Sequence, residues 1–144
     1  MAFRGAFDYT LDAKNRLTVP AKFRATLSEG VVLARGVEPC VAVWRASDYE
    51  DFINNALRNL NAMTPEYRKL QRYYSANAFD VELDGAGRVM VPPALMAHAG
   101  LEKDVVVTGA GTSLEVWDRE RWKAHDDELS ADISDLTASL GHPA

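Results

Sequence analysis

The chain carries one short pattern twice, and this internal repeat constrains the fold more than any other feature. LDAKNRLTVP occupies residues 11–20, and LDGAGRVMVP begins 72 positions later at residues 83–92. Each copy places Asp and Arg four positions apart, followed by alternating apolar residues that are typical of a strand. Farther along each copy, VAVW ends at Trp44 and LEVW ends at Trp117. We interpret the sequence as a duplication that covers most of the chain.

Both copies have the same predicted outline: two strands joined by a tight turn, a short helix after proline, and two more strands. A four-stranded unit of this size cannot bury two faces alone. We therefore expect the copies to interleave their strands into one closed barrel, which removes exposed strand edges. The predicted fold class is α+β, mainly β, with helical extensions. The residues expected in the core beside the turns are Leu11, Leu17, Val19, Leu83, Val89 and Val91.

Helical segments extend both copies. Ser47 and Glu50 form a capping-box pattern that predicts a helix from Asp48, and Thr64-Pro65 starts a second one. The tail SADISDLTASLGHPA is small, acidic and polar, so we expect it to fray. The division that we predict is repeat one at 7–54, a helical connector at 55–78, repeat two at 79–124, and a helix end with a flexible tail at 125–144.

The residue before Arg in each turn needs to tolerate positive φ. Gly87 does so in the second copy, and Asn15 is the next most tolerant choice in the first. Asp four residues before Arg can accept hydrogen bonds from the turn and can pair with the guanidinium. The pairs Asp12–Arg16 and Asp84–Arg88 are therefore consistent with two roles, a hairpin clamp or part of an anion-binding site.

Charge is distributed unevenly along the chain. The net charge is −5, yet the first 24 residues contain five Lys or Arg against two Asp or Glu. Lys14, Lys22 and Arg24 accompany Arg16 in the first copy, whereas Ala86 stands at the turn of the second. A small basic surface on an acidic protein can contact phosphates, although a solvated basic face is an equally good interpretation. If the turns bind an anion, we expect the first copy to contribute more.

Other chemistry is disfavoured by the pattern of reactive residues. His98, His125 and His142 lack the spacing of a metal site, and Cys40 is the single cysteine, so no internal disulfide can form. No nucleophile has a recognisable base, so we predict no enzyme, no metal and no cofactor. Neither a signal sequence nor a membrane-spanning segment is recognisable. We expect a cytoplasmic protein.

Both turns resemble a known signature. LDAKNRLTVPAKFR and LDGAGRVMVPPALM are similar to the D-x-x-x-R motif of the SpoVT-AbrB superfamily, and two such units after FRGAFDYTLD resemble the MraZ family from Phe3 to about Leu129. The resemblance implies a swapped-hairpin (AbrB-like) β-barrel and a sequence-specific DNA-binding transcription factor. It further implies ring oligomers that bind promoter direct repeats upstream of the division and cell-wall gene cluster. Asn15 departs from the family, which often has Gly there.

The resemblance places the family's DNA-contacting Arg on Arg16, with Arg88 as its counterpart. Whether Arg88 contacts DNA or only clamps its hairpin stays open at this level. The expected partners are double-stranded DNA on the nucleoid and further copies of the chain. The alternatives are a ring-forming protein-interaction scaffold and an antitoxin-like module. The residues expected to contact DNA are Arg16, Lys14, Arg88, Lys22, Arg24 and Arg4.

Overall fold

Eight strands and five helices follow one another through residues 2–140, the part of the chain that the computed structural model describes. The strands are β1 (Ala6–Thr10), β2 (Arg16–Thr18), β3 (Val31–Arg35), β4 (Val41–Arg45), β5 (Ala78–Val81), β6 (Arg88–Met90), β7 (Asp104–Gly109) and β8 (Leu114–Asp118). The helices are α1 (Arg24–Leu27), which follows a 3-10 turn at Ala21–Phe23, α2 (Ala46–Leu57), α3 (Pro65–Ala76), α4 (Pro93–Ala99) and α5 (Arg119–Ser139). The fold is α+β, as predicted, but it is not mainly β, because the five helices contain more of the described residues than the eight strands do.

Four of the six antiparallel strand pairings in residues 2–140 join one repeat to the other. Six strands form one sheet in the order β1-β7-β8-β4-β3-β5, and β2 pairs with β6 in a separate two-stranded ribbon. Strand β1 corresponds to β5 of the other repeat, β7 to β3 and β8 to β4. Replacing each strand of the sheet by its counterpart therefore gives the same order, read from the opposite edge. The copies interleave, as predicted, but the strand pairings of residues 2–140 do not close them into the expected barrel. The hydrogen-bonded ladders of residues 2–140 do not continue from the ribbon into the sheet.

One hydrophobic core joins the sheet to the ribbon. Inward-facing residues of the central strands, such as Val43 and Val107, are fully buried and belong to the same cluster as Leu17 and Val89 of the ribbon. Alternate residues of β3, β4, β7 and β8 point to this core, as the period of two requires. Five of the six turn-flanking residues expected in the core are buried, and Leu83 is partly buried against them.

The outer face of the sheet carries the longer helices. Trp44 and Trp117 project from β4 and β8 on the side opposite the core, because their neighbours Val43 and Val116 face inward. The side chain of Tyr49 on α2 packs against Trp44, with ring centroids 5.7 Å apart. Trp122 of α5 packs against Trp117 at the same centroid distance of 5.7 Å. The helical extensions thus cover the face of the sheet that lies opposite the core.

The start of α2 corrects a sequence-based prediction. The capping box that we assigned to Ser47–Glu50 does not form, and the helix begins at Ala46 with no side-chain cap. The backbone N–H of Ala46 instead donates to the carbonyl of Gly30 over 3.1 Å. A tertiary contact therefore satisfies the end of the helix, and β4 continues directly into α2. The predicted start of α3 is confirmed, since Thr64 Oγ1 accepts a hydrogen bond from the Tyr67 N–H.

Helix α5 is longer than we expected. It continues through residues 130–139, where the sequence predicts the beginning of a frayed tail. Its N-terminus is capped by the Asp118 carboxylate, which accepts from the Arg121 N–H over 3.2 Å. The end of the predicted tail, residues 141–144 with His142, lies outside the described residues.

Candidate functional site

The turn of repeat one is built around the carboxylate of Asp12. Its Oδ1 accepts hydrogen bonds from the backbone N–H groups of Lys14 and Arg16, both over 2.9 Å. Its Oδ2 accepts from Arg16 Nε over 2.7 Å. One carboxylate therefore fixes the turn backbone and the guanidinium together, as Asp does in Asx-turns.

The turn of repeat two repeats this arrangement around Asp84. Oδ1 accepts from the N–H groups of Ala86 and Arg88 over 2.9 Å, and Oδ2 accepts from Arg88 Nε over 2.9 Å. The side-chain exposures also match, at 33% and 29% for Asp12 and Arg16 and at 35% and 32% for Asp84 and Arg88. The clamp that the sequence left as one of two interpretations is present in both turns.

Both turns depend on a residue with positive φ. Asn15 has φ 57° and Gly87 has φ 76°. This conformation is easy for glycine and is better tolerated by Asn than by most other residues. The prediction that residues 15 and 87 are equivalent positions that need to tolerate positive φ is confirmed.

The β2–β6 ribbon brings the two turns to one part of the surface. Leu17 is opposite Val89 at its centre, so each turn flanks the partner strand. The carbonyl of Gly87 accepts from the Val19 N–H over 2.9 Å, and the carbonyl of Asn15 accepts from the Val91 N–H over 3.0 Å. These two bonds are equivalent under exchange of the repeats.

The clamps are linked through Asp12. Arg88 Nη1 lies 3.7 Å from Asp12 Oδ2, so this carboxylate faces a guanidinium from each repeat. No corresponding ion pair between Arg16 and Asp84 occurs within residues 2–140. The ribbon therefore joins the two Asp–Arg pairs into one charged cluster.

Hydrogen bonding keeps both clamp carboxylates charged. The pKa of Asp12 is lowered, with the backbone hydrogen bond from Arg16 as the largest cause and the Arg16 side chain as a further one. The pKa of Asp84 is lowered as well, mainly by the backbone hydrogen bond from Arg88. Hydrogen bonds to the charged form favour ionisation. These carboxylates therefore act as fixed anions that hold the arginines in place.

The other predicted cations occupy different places. Arg24 donates from Nε to the carbonyl of Val19 over 3.0 Å, and its guanidinium lies over Gly87 of the other repeat. Lys22 holds its Nζ 4.9 Å from the centroid of the Phe7 ring, where it makes a cation–π contact. Arg4 precedes β1, at the end of that strand away from Asp12. Arg24 thus joins the turn cluster, whereas Arg4 stands apart from it.

The reach of Arg24 into repeat two was missed by sequence reasoning. No local pattern signals it, because its two neighbours, Val19 and Gly87, belong to different repeats. A second missed residue is Arg119, whose Nη2 donates to the carbonyl of Tyr9 over 2.8 Å. That contact ties the start of α5 to β1.

In the described part of the chain, histidine, cysteine and carboxylate side chains do not assemble into a metal or catalytic site. Within residues 2–140 no three His, Cys, Asp or Glu side chains are arranged to hold a metal ion. Cys40 is buried, and burial raises the pKa of its thiol to about 12, which makes it a poor nucleophile at neutral pH. None of the described helices is both long enough and apolar enough to cross a membrane.

Comparison with known proteins gives a consistent result. A family model described as "MraZ protein, putative antitoxin-like" matches residues 2–73 and again residues 75–140. The transcriptional regulator MraZ of Lachnoclostridium phytofermentans is 37% identical over 139 residues, which cover 96% of this chain and 97% of that protein.

Two further relatives carry the same name. The transcriptional regulator MraZ of Micrococcus luteus is 41% identical, and the match covers 92% of each chain. The one of Nitrosospira multiformis is also 41% identical, over 83% of this chain and 84% of its own length. The similarity therefore extends over both repeats and is not confined to the two turns.

Proposed function

Because this chain belongs to the MraZ family, whose members are named transcriptional regulators and not enzymes, we propose that it binds promoter DNA sequence-specifically through its two clamped turns. The observation that carries the proposal is the β2–β6 ribbon, which places Arg16 and Arg88 in one cluster. Pairing of β2 with β6 brings both arginines to one surface, where a single DNA duplex can contact both.

The clamp prepares Arg16 for base recognition. Its Nε is engaged by Asp12, and within residues 2–140 its two terminal nitrogens have no hydrogen-bond partner. Such a fork can donate to O6 and N7 of guanine or to two phosphate oxygens. Because the guanidinium is already oriented, little side-chain freedom is lost on binding. We assign base reading to Arg16 with help from Arg88, and phosphate contacts to Lys14, Lys22, Arg24 and Arg4.

The proposal includes assembly into a ring. Apolar side chains of α5 are exposed along one stripe, at 38% for Leu129, 52% for Ile133, 47% for Leu136 and 77% for Leu140. Leu70 on α3 is 38% exposed. Exposed apolar patches of this kind favour contacts with further protein chains. A ring would present the turns at regular spacing to direct repeats, so that avidity strengthens a weak single contact.

The remaining parts of the proposal concern shape, target and place. We propose that the β2–β6 ribbon closes the open side of the sheet as in a swapped-hairpin barrel, which is consistent with the core shared by both. The target we propose is the promoter of the division and cell-wall gene cluster, bound on the nucleoid in the cytoplasm.

The proposed function is tested by Arg16→Ala on a promoter fragment with repeated boxes. Loss of one bidentate contact should weaken binding by about 5- to 150-fold, since such a contact contributes about 1–3 kcal/mol. The matched control is Arg45→Ala, because Arg45 also pairs with a nearby carboxylate, Asp48, over 3.1 Å but lies outside the ribbon. The measurement is a fluorescence-anisotropy titration at fixed salt.

Two results would contradict the proposal. Equal affinity of wild type and Arg16→Ala would remove the turn from the binding site. A stable oligomer with no sequence preference in a DNA selection experiment would favour the scaffold alternative.

A further inference from the structure

We propose that Arg24 of repeat one completes a second phosphate-binding site at the turn of repeat two. The proposal rests on the proposed DNA-binding function and adds a site that crosses between the repeats. It keeps the expectation that repeat one contributes more of the cations, but it places one of them, Arg24, at the turn of repeat two.

The contact between Arg24 and the second turn is close. Arg24 Nε donates to the carbonyl of Val19 over 3.0 Å, and Val19 in turn donates its N–H to the carbonyl of Gly87 over 2.9 Å. A Cβ atom on Gly87 would lie only 2.7 Å from Arg24 Cζ. Gly87 is consequently buried although it lies in a surface turn. The absence of a side chain at residue 87 gives the guanidinium room to lie against the turn.

Without Arg24, the second turn would carry no net positive charge. Arg88 is paired with Asp84 over 2.9 Å, so these two groups offset each other, and Ala86 at the tip brings no charge. Arg24 has no carboxylate partner within 4.0 Å among the described residues. It is therefore the cation that gives this turn a net positive charge.

The first turn has the same net positive charge, but its extra cation comes from its own sequence. Arg16 is paired with Asp12 over 2.7 Å, and Lys14 at the tip adds the uncompensated positive charge. Each turn thus consists of one Asp–Arg clamp and one extra cation. The extra cation is local in repeat one, whereas in repeat two it comes from the other repeat.

The ligand that fits such a site is a phosphodiester oxygen. Nε of Arg24 is engaged by Val19, which leaves the terminal nitrogens as donors for an anion. The backbone N–H groups of Ala86 and Arg88 already donate to Asp84, so they cannot serve the ligand. A guanidinium can bind a phosphate with one or two hydrogen bonds. The two matched turns should therefore contact two phosphates per protomer.

The test measures binding of the full chain to the same promoter fragment as a function of salt. Arg24→Gln removes the charge but keeps an amide donor for the Val19 carbonyl. It should lower affinity by about 3- to 10-fold on every sequence, with a salt slope shallower by about one per bound protomer. Adding Ala86→Lys to Arg24→Gln should restore both values, because it places the cation at the turn tip as in repeat one. Arg24→Lys should retain most of the binding.

The matched control is Arg121→Ala. Its guanidinium also lies over a glycine of positive φ, Gly100, which ends α4 away from the turns. This variant should bind as the wild type does. Thermal unfolding of all variants shows whether each is folded at the temperature of the assay.

The outcomes separate the site from the function. If wild type binds and Arg24→Gln has the same affinity and salt slope, the second site is excluded while the proposed function stands. If Arg24→Gln is weaker but neither Ala86→Lys nor Arg24→Lys restores binding, the role of Arg24 is structural and the proposal is overturned. If wild type itself fails to bind the fragment, the proposed function fails.

Discussion

The turns of the two repeats share every hydrogen bond of the Asp clamp but differ at the residue of positive φ. In repeat one this residue is Asn15, and in repeat two it is Gly87, against which Arg24 packs. The difference shows that two separate requirements act on this position. Backbone conformation admits Asn or Gly, and the space above the turn decides between them.

Charge at the turn tips differs in the same way. Lys14 stands at the first tip and Ala86 at the second, yet Arg24 lies beside the second turn. Compared by sequence alone, the second motif has less positive charge at its turn than the first. Contacts between the repeats compensate for this, so a duplicated motif has to be compared after folding.

The largest expected effect comes from the ribbon that holds the two turns together. Leu17 is 1% exposed and lies opposite Val89 at the centre of the ribbon. Leu17→Ala should lower the free energy of unfolding by about 2–5 kcal/mol, through lost apolar contacts and a residual cavity. Urea denaturation followed by circular dichroism measures this change.

The control for that substitution lies on the same ribbon. Met90 pairs with Arg16 but is 55% exposed. Met90→Ala should change the free energy of unfolding by no more than about 0.5 kcal/mol, as exposed substitutions usually do. Equal effects of the two substitutions would show that the ribbon does not close the core.

A smaller effect is expected from exchanging the residues of positive φ in the two turns, Asn15 and Gly87. Gly87→Asn should cost about 1–2 kcal/mol, because the new side chain displaces Arg24 from the Val19 carbonyl. Asn15→Gly should cost less than about 1 kcal/mol, through the greater freedom of the unfolded chain alone. Thermal or urea unfolding distinguishes the two values.

Arg24→Ala provides the control for this exchange. If Arg24 occupies the space over Gly87, the cost of Gly87→Asn should fall when Arg24 is already truncated, which a double-mutant cycle detects. Additive effects would mean that the two residues do not compete for space. Equal costs for Gly87→Asn and Asn15→Gly would remove the distinction between the turns.

Local patterns were sufficient to predict much of the fold. Asp–Arg spacing, the tolerant residues Asn15 and Gly87, and the alternating apolar residues identified both clamped turns, and the repeat itself indicated that the two copies interleave. These features depend on residues within a few positions of each other, or on the similarity of the two copies. The predicted core residues beside the turns followed from the same alternation. The two strands beside each turn do not pair with each other as a hairpin would, because β1 pairs with β7, β5 with β3, and β2 with β6.

What the sequence did not reveal depends on distant contacts. Helix α2 begins early because the carbonyl of Gly30 accepts from Ala46, and Arg24 crosses to Gly87. Helix α5 extends to Ser139, with Leu129, Ile133 and neighbouring apolar residues along one face. That spacing was present in the sequence, but the surrounding small and acidic residues made the segment resemble a tail.

The smallest expected effect concerns acid stability and compares the two carboxylates. Folding lowers the pKa of both Asp12 and Asp84, so each stabilises the folded state above the unfolded pKa of about 4. This stabilisation should be lost as pH falls through the lower folded pKa. The double variant Asp12→Asn/Asp84→Asn should melt below wild type at pH 7 and show a flatter decline below about pH 4.

The single variants sharpen this comparison. Asp12→Asn should lower the melting temperature at pH 7 more than Asp84→Asn, because Asp12 also faces Arg88 Nη1 at 3.7 Å, whereas Asp84 has one guanidinium partner among residues 2–140. Asp126→Asn, an exposed position on α5 without an ion pair among residues 2–140, is the control and should leave the melting temperature at pH 7 unchanged. Identical shifts for Asp12→Asn and Asp84→Asn would mean that the link between the repeats contributes nothing, and that the two clamps act independently.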